Sequence, residues 1–144
     1  RADALARATR ALRPRDRSRQ ALDDRLTRAG VPASAREDAL ETLERVGLVD
    51  DARVASTRAQ ALAERGFGDA AIRHDLEREG VGAEHAEQAL AALEPEPDRA
   101  RGLVERRGAD LRTARWLAGK GFEAASIEEA LGGFEALGGF AENA

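Results

Sequence analysis

The chain has 144 residues, of which 42% are hydrophobic, 3% aromatic and 35% charged, and its formal net charge is −4. It has no cysteine, which excludes disulfides and thiolate metal sites, and no apolar run approaches the roughly 20 residues that span a bilayer, so we expect a cytoplasmic protein without membrane contact. The dominance of alanine, leucine, glutamate and arginine predicts an all-α fold.

Charge is distributed unevenly along the chain. Residues 1–28 contain nine arginines against four aspartates, a formal charge of +5, so the remainder carries −9. A basic segment on an acidic body indicates contact with a polyanion or with an acidic protein surface. The alternative is an arginine-rich helix surface that only faces solvent, and the composition does not decide between the two.

The predicted elements begin with a lead-in helix before Pro14, and three repeated units follow it. In each unit a helix with leucines four residues apart ends at a glycine, and the next residue is Val or Phe. Such a glycine suits the left-handed residue after a helix, and the apolar residue then packs back onto that helix. The repeated stretches are Leu26-x-x-x-Gly30-Val31, Leu76-x-x-x-Gly80-Val81 and Leu117-x-x-x-Gly121-Phe122, and in the same register Leu43 and Leu93 correspond to Phe134.

A second helix follows each glycine. In the first unit the pattern Ser34-x-x-Glu37 predicts a capping box at the start of this helix. Gly47 ends the helix, and Leu48 is expected to pack back as the valines do. A third helix is predicted from about residue 51 to residue 65, with Val54 and Leu62 facing inward.

Two adjacent carboxylates, Asp50 and Asp51, precede this third helix. Asp50 is placed to cap the helix by accepting a backbone amide, and Asp51 lies in the first turn, where negative charge meets the positive end of the helix dipole. We interpret the pair as structural rather than as acid–base machinery or a metal site, because a metal site needs more convergent ligands.

Together these elements predict tandem three-helix repeats. The predicted boundaries are a lead-in helix at 1–16, a first repeat at 17–67, a second at 68–108 and a truncated third repeat at 109–144. No window alternates with the period of two that would indicate a strand.

The sequence gives no support for an enzyme. His74 and His85 have no third ligand at a suitable spacing for zinc, and no nucleophile elbow or phosphate-binding glycine loop is present. We therefore expect no cofactor, no bound nucleotide and no metal.

Two stretches resemble the RecX family of regulatory proteins. The first is Ser18-Arg19-Gln20-Ala21-Leu22-x-x-x-Leu26, and the second runs from Gly47-Leu48-Val49-Asp50-Asp51 through Gly66-Phe67-Gly68 to Ile72-x-x-x-Leu76-x-x-x-Gly80-Val81. The resemblance covers roughly residues 5–140. Two departures are Val54, where the family commonly has an aromatic residue, and the acidity of the chain, which argues against tight autonomous DNA binding.

The resemblance implies an elongated, curved helical array and a regulator of recombination and DNA repair. Such a protein would lie along the groove of the RecA–DNA filament, as a monomer, and would inhibit the ATPase and strand-exchange activities of RecA. The resemblance implies no catalytic residues. An autonomous helical protein that binds single- or double-stranded DNA weakly is the alternative function, and a bare scaffold is a third.

Candidate partner-binding residues are basic or aromatic. Arg58 and Arg65 are seven residues apart and are expected to share a helix face. Trp116 stands where the other two units have polar residues, and it is expected either to pack beneath the C-terminal helix or to serve as an exposed interface anchor. The full set is Arg15, Arg17, Arg19, Arg58, Arg65, Arg73, Arg78 and Trp116.

Overall fold

The computed structural model describes residues 2–132, and this part of the chain is all helical, as predicted. Phe134 and the rest of the predicted end of the third repeat lie outside the described residues. The nine helices of the described range are α1 (Ala2–Leu12), α2 (Arg19–Arg28), α3 (Ala33–Arg45), α4 (Asp51–Glu64), α5 (Asp69–Arg78), α6 (Ala83–Ala91), α7 (Glu96–Arg107), α8 (Leu111–Gly119) and α9 (Ala124–Ala130).

Three buried clusters divide these helices into units of three. Unit 1 is α1–α3 and includes Leu22 and Leu40, unit 2 is α4–α6 and includes Ile72 and Leu76, and unit 3 is α7–α9 and includes Leu117. The most extensive helix–helix contacts all lie within a unit. The predicted boundaries, 17–67, 68–108 and 109–144, group the same helices one helix later along the chain, and the predicted lead-in helix α1 packs into the first cluster.

The glycine-terminated helix ends form as the sequence predicts. Gly30, Gly80 and Gly121 have φ of +80°, +87° and +91°, values that favour a residue without a side chain. The amide of the residue after each glycine donates to the carbonyl five residues earlier, at 3.0–3.1 Å, which is the hydrogen bond of a Schellman turn. These following residues, Val31, Val81 and Phe122, are buried.

The turn after α3 departs from this pattern. Leu48 donates its amide to the carbonyl of Leu43 at 2.9 Å, but its side chain is 49% exposed. Val49, whose amide bonds to the same carbonyl at 3.1 Å, is buried instead. The expectation that Leu48 packs back is therefore wrong, because the extra amide bond places the side chain of the following residue against the core.

One of the two predicted helix caps is present. Asp50 accepts the amide of Arg53 at 3.1 Å and caps α4, as predicted. The predicted capping box at Ser34 is wrong: α3 begins at Ala33, directly after Pro32, and has no side-chain cap. The extended Pro32, with φ −60°, sets the start of the helix, so Ser34 already lies in the first turn.

The junction between units 1 and 2 joins the N-terminus of α2 to the C-terminus of α5. The fully buried Ser18 caps α2 by accepting the amide of Ala21 at 3.0 Å, and its hydroxyl donates to the Glu79 carbonyl at 2.6 Å. Asp51, at the start of α4, accepts the amide of Arg19 at 2.8 Å. The second aspartate of the Asp50–Asp51 pair thus caps a helix of the neighbouring unit.

The junction between units 2 and 3 joins the N-terminus of α5 to the C-terminus of α8 through the backbone. The amide of Gly68 donates to the carbonyl of Lys120 at 2.8 Å, and the amide of Ala70 donates to the carbonyl of Gly121 at 3.2 Å. A carboxylate again caps the first helical residue, since Glu96 at the start of α7 accepts the amide of Asp69 at 2.6 Å.

The two junctions are therefore equivalent. In both, the C-terminus of the middle helix of one unit meets the N-terminus of the middle helix of the preceding unit, and a carboxylate from the first helix of the later unit completes the contact. Helices α8, α5 and α2 consequently form an end-to-end series that links the three units.

Candidate partner-binding surfaces

Five arginines line a cleft of about 250 Å³ at the junction of units 1 and 2. The cleft lies between the α1–α2 connection, α2 and the end of α5, and we call it the arginine cleft. It also contains two carboxylates, so cations are in excess. The arginines are Arg15, Arg17, Arg25, Arg28 and Arg78, and the carboxylates are those of Asp24 and Glu79.

The predicted arginines of the cleft differ in how they are held. Arg15 Nη1 lies 2.8 Å from Glu79 Oε1, and Arg17 Nε donates to the carbonyl of Ala11 at 2.8 Å. Partial burial lowers the pKa of Arg17 because desolvation penalises its charge. The side chain of Arg78 is 70% exposed and lies 3.6 Å from Asp75.

Arg25 and Arg28, in the last turn of α2, complete the cleft and were not among the predicted residues. Both are exposed, and neither makes an ion pair within the described range. Cations at a helix C-terminus are stabilised by the helix dipole, which explains their position without an acidic partner.

Arg58 lies behind the cleft in an ion-pair network. Its Nε and Nη2 donate to the two oxygens of Asp75 at 2.9 and 3.0 Å, and Nη1 lies 3.8 Å from Glu79. The hydrogen bonds to Asp75 raise the pKa of Arg58. Arg58 therefore links α4 to α5, and its contacts are distinct from those of Arg65, although the two residues are seven apart.

Two further predicted arginines are paired within their own units. Arg19 donates to Glu44 at 2.8 Å and to Glu37 at 2.7 Å, which joins α2 to α3. Arg73 makes a two-pronged pair with Glu87, at 2.7 and 3.1 Å, which joins α5 to α6. Hydrogen bonds to Glu44 and to Glu87 raise the pKa of Arg19 and of Arg73 respectively. Part of the basic charge is thus balanced inside the molecule.

Arg65 and Trp116 meet at a second concavity, about 260 Å³ in volume, which we call the tryptophan pocket. Trp116 is half-buried against the core of unit 3 and lines the pocket. The pocket residues are Glu64, Arg65, Gly66, Leu103, Arg106, Arg107 and Trp116.

The structure thus divides the eight predicted residues into three groups: Arg15, Arg17 and Arg78 in the arginine cleft, Arg65 and Trp116 in the tryptophan pocket, and Arg19, Arg58 and Arg73 in internal ion pairs. Sequence reasoning missed the other arginines of the two concavities. One signal in the sequence could have pointed to Arg25: in the alignment of the repeats it occupies the same position as Trp116.

The two histidines lie on different helices. His74 is exposed on α5, whereas His85 is half-buried on α6, and no group of three possible metal ligands occurs in residues 2–132. In the same range no helix is long and apolar enough to cross a bilayer.

The chain is similar to known proteins in both sequence and fold. Residues 50–90 match the model of the RecX second three-helix domain, a range that coincides with unit 2. A regulatory protein RecX of Acidithiobacillus ferrooxidans is 32% identical over 92% of this chain and 91% of that protein. The corresponding protein of Xanthomonas oryzae is 31% identical over 88% of this chain and 85% of that protein.

Solved structures show the same fold. The crystal structure of RecX from Lactobacillus salivarius has a TM-score of 0.78 and 19% identity, and the match covers 91% of this chain and 94% of that one. A second structure, of a regulatory protein RecX, has a TM-score of 0.73 and 24% identity over 88% of this chain and 70% of that one. The fold, the sequence relatives and the family model agree: the chain belongs to the RecX family of regulatory proteins.

Proposed function

We propose that this protein binds the RecA–DNA filament and modulates RecA, mainly by inhibiting its ATPase and strand-exchange activities. The observation that carries the proposal is the similarity to RecX regulatory proteins over 92% of the chain, which covers all three units. The function of a regulator requires binding rather than catalysis, and the described residues form basic concavities, among them the arginine cleft and the tryptophan pocket.

The arginine cleft is the proposed contact surface for the filament. It combines exposed cations from two units, and arginine binds carboxylates and phosphates in the same fork geometry. Arg25 and Arg28 are the best candidates for direct contact because their charges are not balanced by an ion pair. Arg58 supports the surface by holding Asp75 and approaching Glu79.

The fixed junctions also support this proposal. Because carboxylates and backbone hydrogen bonds connect the units, a partner would meet one continuous surface rather than three independent domains. Weak contacts with several subunits of a filament would then combine, and the overall affinity would exceed that of any single contact.

The test is inhibition of ATP hydrolysis by RecA on single-stranded DNA. We expect the unaltered protein to slow hydrolysis without hydrolysing ATP itself. The double variant Arg25→Ala/Arg28→Ala should need at least about fivefold more protein for half-inhibition, since loss of a contact arginine at an interface commonly costs 1 kcal/mol or more. Arg112→Ala/Arg115→Ala, which alters two exposed arginines of α8, is the matched control and should inhibit normally.

Two results would contradict the proposal. If an excess of the protein leaves the rate of ATP hydrolysis by RecA unchanged, the proposed function is wrong. If the two double variants inhibit equally well, the arginine cleft is not the contact surface. Tight, salt-dependent binding to single-stranded DNA without RecA would favour the alternative of autonomous DNA binding.

A further inference from the structure

Five side chains at the junction of units 2 and 3 alternate between cation and aromatic ring. Arg107 Cζ lies 3.7 Å from the centroid of Trp116, and Lys120 Nζ lies 5.6 Å from the same ring and 3.5 Å from the Phe67 ring. Arg65 Cζ lies 5.3 Å from the centroid of the Phe67 ring and ends the series. We call this arrangement the cation–aromatic ladder. It holds three cations in place without neutralising them.

The cations of the ladder lack acidic partners, unlike Arg58 and Arg73. Within residues 2–132, no ion pair forms at Arg65, Arg107, Lys120 or the adjacent Arg106. Glu64 also lines the pocket, but it pairs with none of them. The surface therefore keeps a local excess of positive charge, although the chain as a whole carries −4.

The tryptophan pocket provides an apolar surface beside these cations. Leu103 and Trp116 line it, and the Trp116 ring lies against Gly66, where an added Cβ would be 3.4 Å from the ring. The pocket has a volume of about 260 Å³, which is large enough for one large apolar side chain but too small for the surface of a folded partner. The shape and the charge together fit a segment with an apolar residue between carboxylates.

Single-stranded nucleic acid fits the pocket less well. Sites that bind it without sequence preference offer aromatic faces on which bases stack. Here the protein's own cations lie over the two rings, since Arg107 covers Trp116 and Lys120 covers Phe67. The cations can still form hydrogen bonds with carboxylates, whereas a base would have to displace them.

We propose that the tryptophan pocket binds a short acidic segment of a partner protein. One large apolar side chain would lie against Leu103, beside the Trp116 ring that Arg107 covers, and flanking carboxylates would bind Arg65, Arg106 and Arg107. This inference does not depend on the proposed function, because the site is separate from the arginine cleft and its test contains no RecA.

The test uses a fluorescein-labelled synthetic peptide, Glu-Asp-Glu-Phe-Asp-Glu, and the full chain. Binding is followed by anisotropy of the label and by the emission of Trp116, which is unambiguous because the chain has one tryptophan and no tyrosine. We expect binding that weakens with salt and a peptide with Ser in place of Phe to bind more weakly. Arg65→Ala/Arg107→Ala should weaken binding by about tenfold or more, whereas Arg112→Ala/Arg115→Ala should bind as the unaltered protein does.

Three outcomes would overturn the inference: no binding of the peptide by the unaltered protein, equal binding by both double variants, or an unchanged Trp116 emission on binding. An oligothymidylate of similar length that binds more tightly than the peptide, with the same sensitivity to Arg65→Ala/Arg107→Ala, would identify a phosphate site instead. Thermal unfolding of each variant, monitored by circular dichroism, checks that it is folded.

Discussion

The two junctions between units reach the same geometry by different chemistry. At the first junction the ends of α2 and α5 are bridged by the side chain of Ser18, and partly exposed ion pairs such as Arg15–Glu79 and Arg53–Asp16 surround them. At the second junction the backbones of α5 and α8 bond directly, and glycines at both ends permit this approach. The first junction is bridged by a side chain, whereas the second depends on direct contact between backbones.

The two junctions also differ in how deeply their capping carboxylates are buried. Glu96, 6% exposed, accepts three hydrogen bonds, from the amides of Asp69 and Glu123 and from the hydroxyl of Ser126. Its counterpart at the first junction, Asp51, is half-buried and accepts the amide of Arg19. A repeat can therefore conserve the position of a contact while changing how strongly the contact contributes to stability.

The largest expected effect comes from Gly121→Ala. The new Cβ would lie 2.6 Å from the Cβ of Ala71 and 2.7 Å from its amide nitrogen, at a residue with φ +91°. Backbone strain and overpacking should together lower the free energy of unfolding by about 3 kcal/mol, measured by urea denaturation. Gly30→Ala is the matched control, because φ is also positive there but nothing lies within 4 Å of the added Cβ.

We expect Gly30→Ala to cost about 1 kcal/mol, the strain alone. The difference between the two variants then isolates the packing of the second junction. Equal costs would show that the close approach of α5 and α8 contributes nothing.

The next effect separates the two capping carboxylates. Glu96→Gln should cost about 2 kcal/mol, because hydrogen bonds from three donors to a buried charge are weakened and an amide donor is introduced. Asp51→Asn should cost less than about 1 kcal/mol, since asparagine keeps an oxygen that caps helices well. Urea denaturation measures both, and a larger loss for Asp51→Asn would reverse our ranking of the junctions.

The smallest effect concerns the partly exposed ion pairs of the first junction. Arg15→Ala removes a pair whose side chains are 44% and 12% exposed and should cost less than about 1 kcal/mol. Because salt screens such a pair, the loss should shrink when unfolding is measured in 1 M rather than 0.05 M sodium chloride, conditions that span Debye lengths of about 3 to 14 Å.

Arg13→Ala is the control for this measurement. Arg13 is exposed, lies two residues from Arg15 and makes no side-chain ion pair among the described residues. A salt-independent loss in the Arg15 variant would instead indicate that packing of its aliphatic stem is what matters.

The repeat boundaries that the sequence predicts group the helices one later along the chain than the three buried clusters do. The spacing of Gly30, Gly80 and Gly121 located helix ends correctly, because left-handed turns depend on local backbone sterics. Which three helices share a core depends on contacts between distant residues, and a periodic pattern carries no mark of where a unit begins. The capping role of Asp50 was also local and was predicted correctly.

The contacts between units could not be read from the chain in this way. In the sequence Gly68 stood out only as part of the Gly66-Phe67-Gly68 stretch, yet an added Cβ would lie 2.5 Å from the backbone of Gly121. No pattern in the sequence singled out Glu96, which is buried. For the candidate surfaces, the sequence indicated which arginines were present, but their pairing required the fold: Arg58 and Arg73 bind carboxylates 17 and 14 residues away, whereas Lys120 lies between two rings.

The end-to-end series of middle helices gives the molecule a direction. Opposite partial charges meet at each inner junction, because the negative end of one helix adjoins the positive end of the next. The outer ends remain different: α2 ends beside Arg25 and Arg28, and α8 begins at the capping Asp110. A partner that repeats along an axis therefore meets this protein in two inequivalent orientations, in which opposite ends lead, and the electrostatic energies of the two must differ.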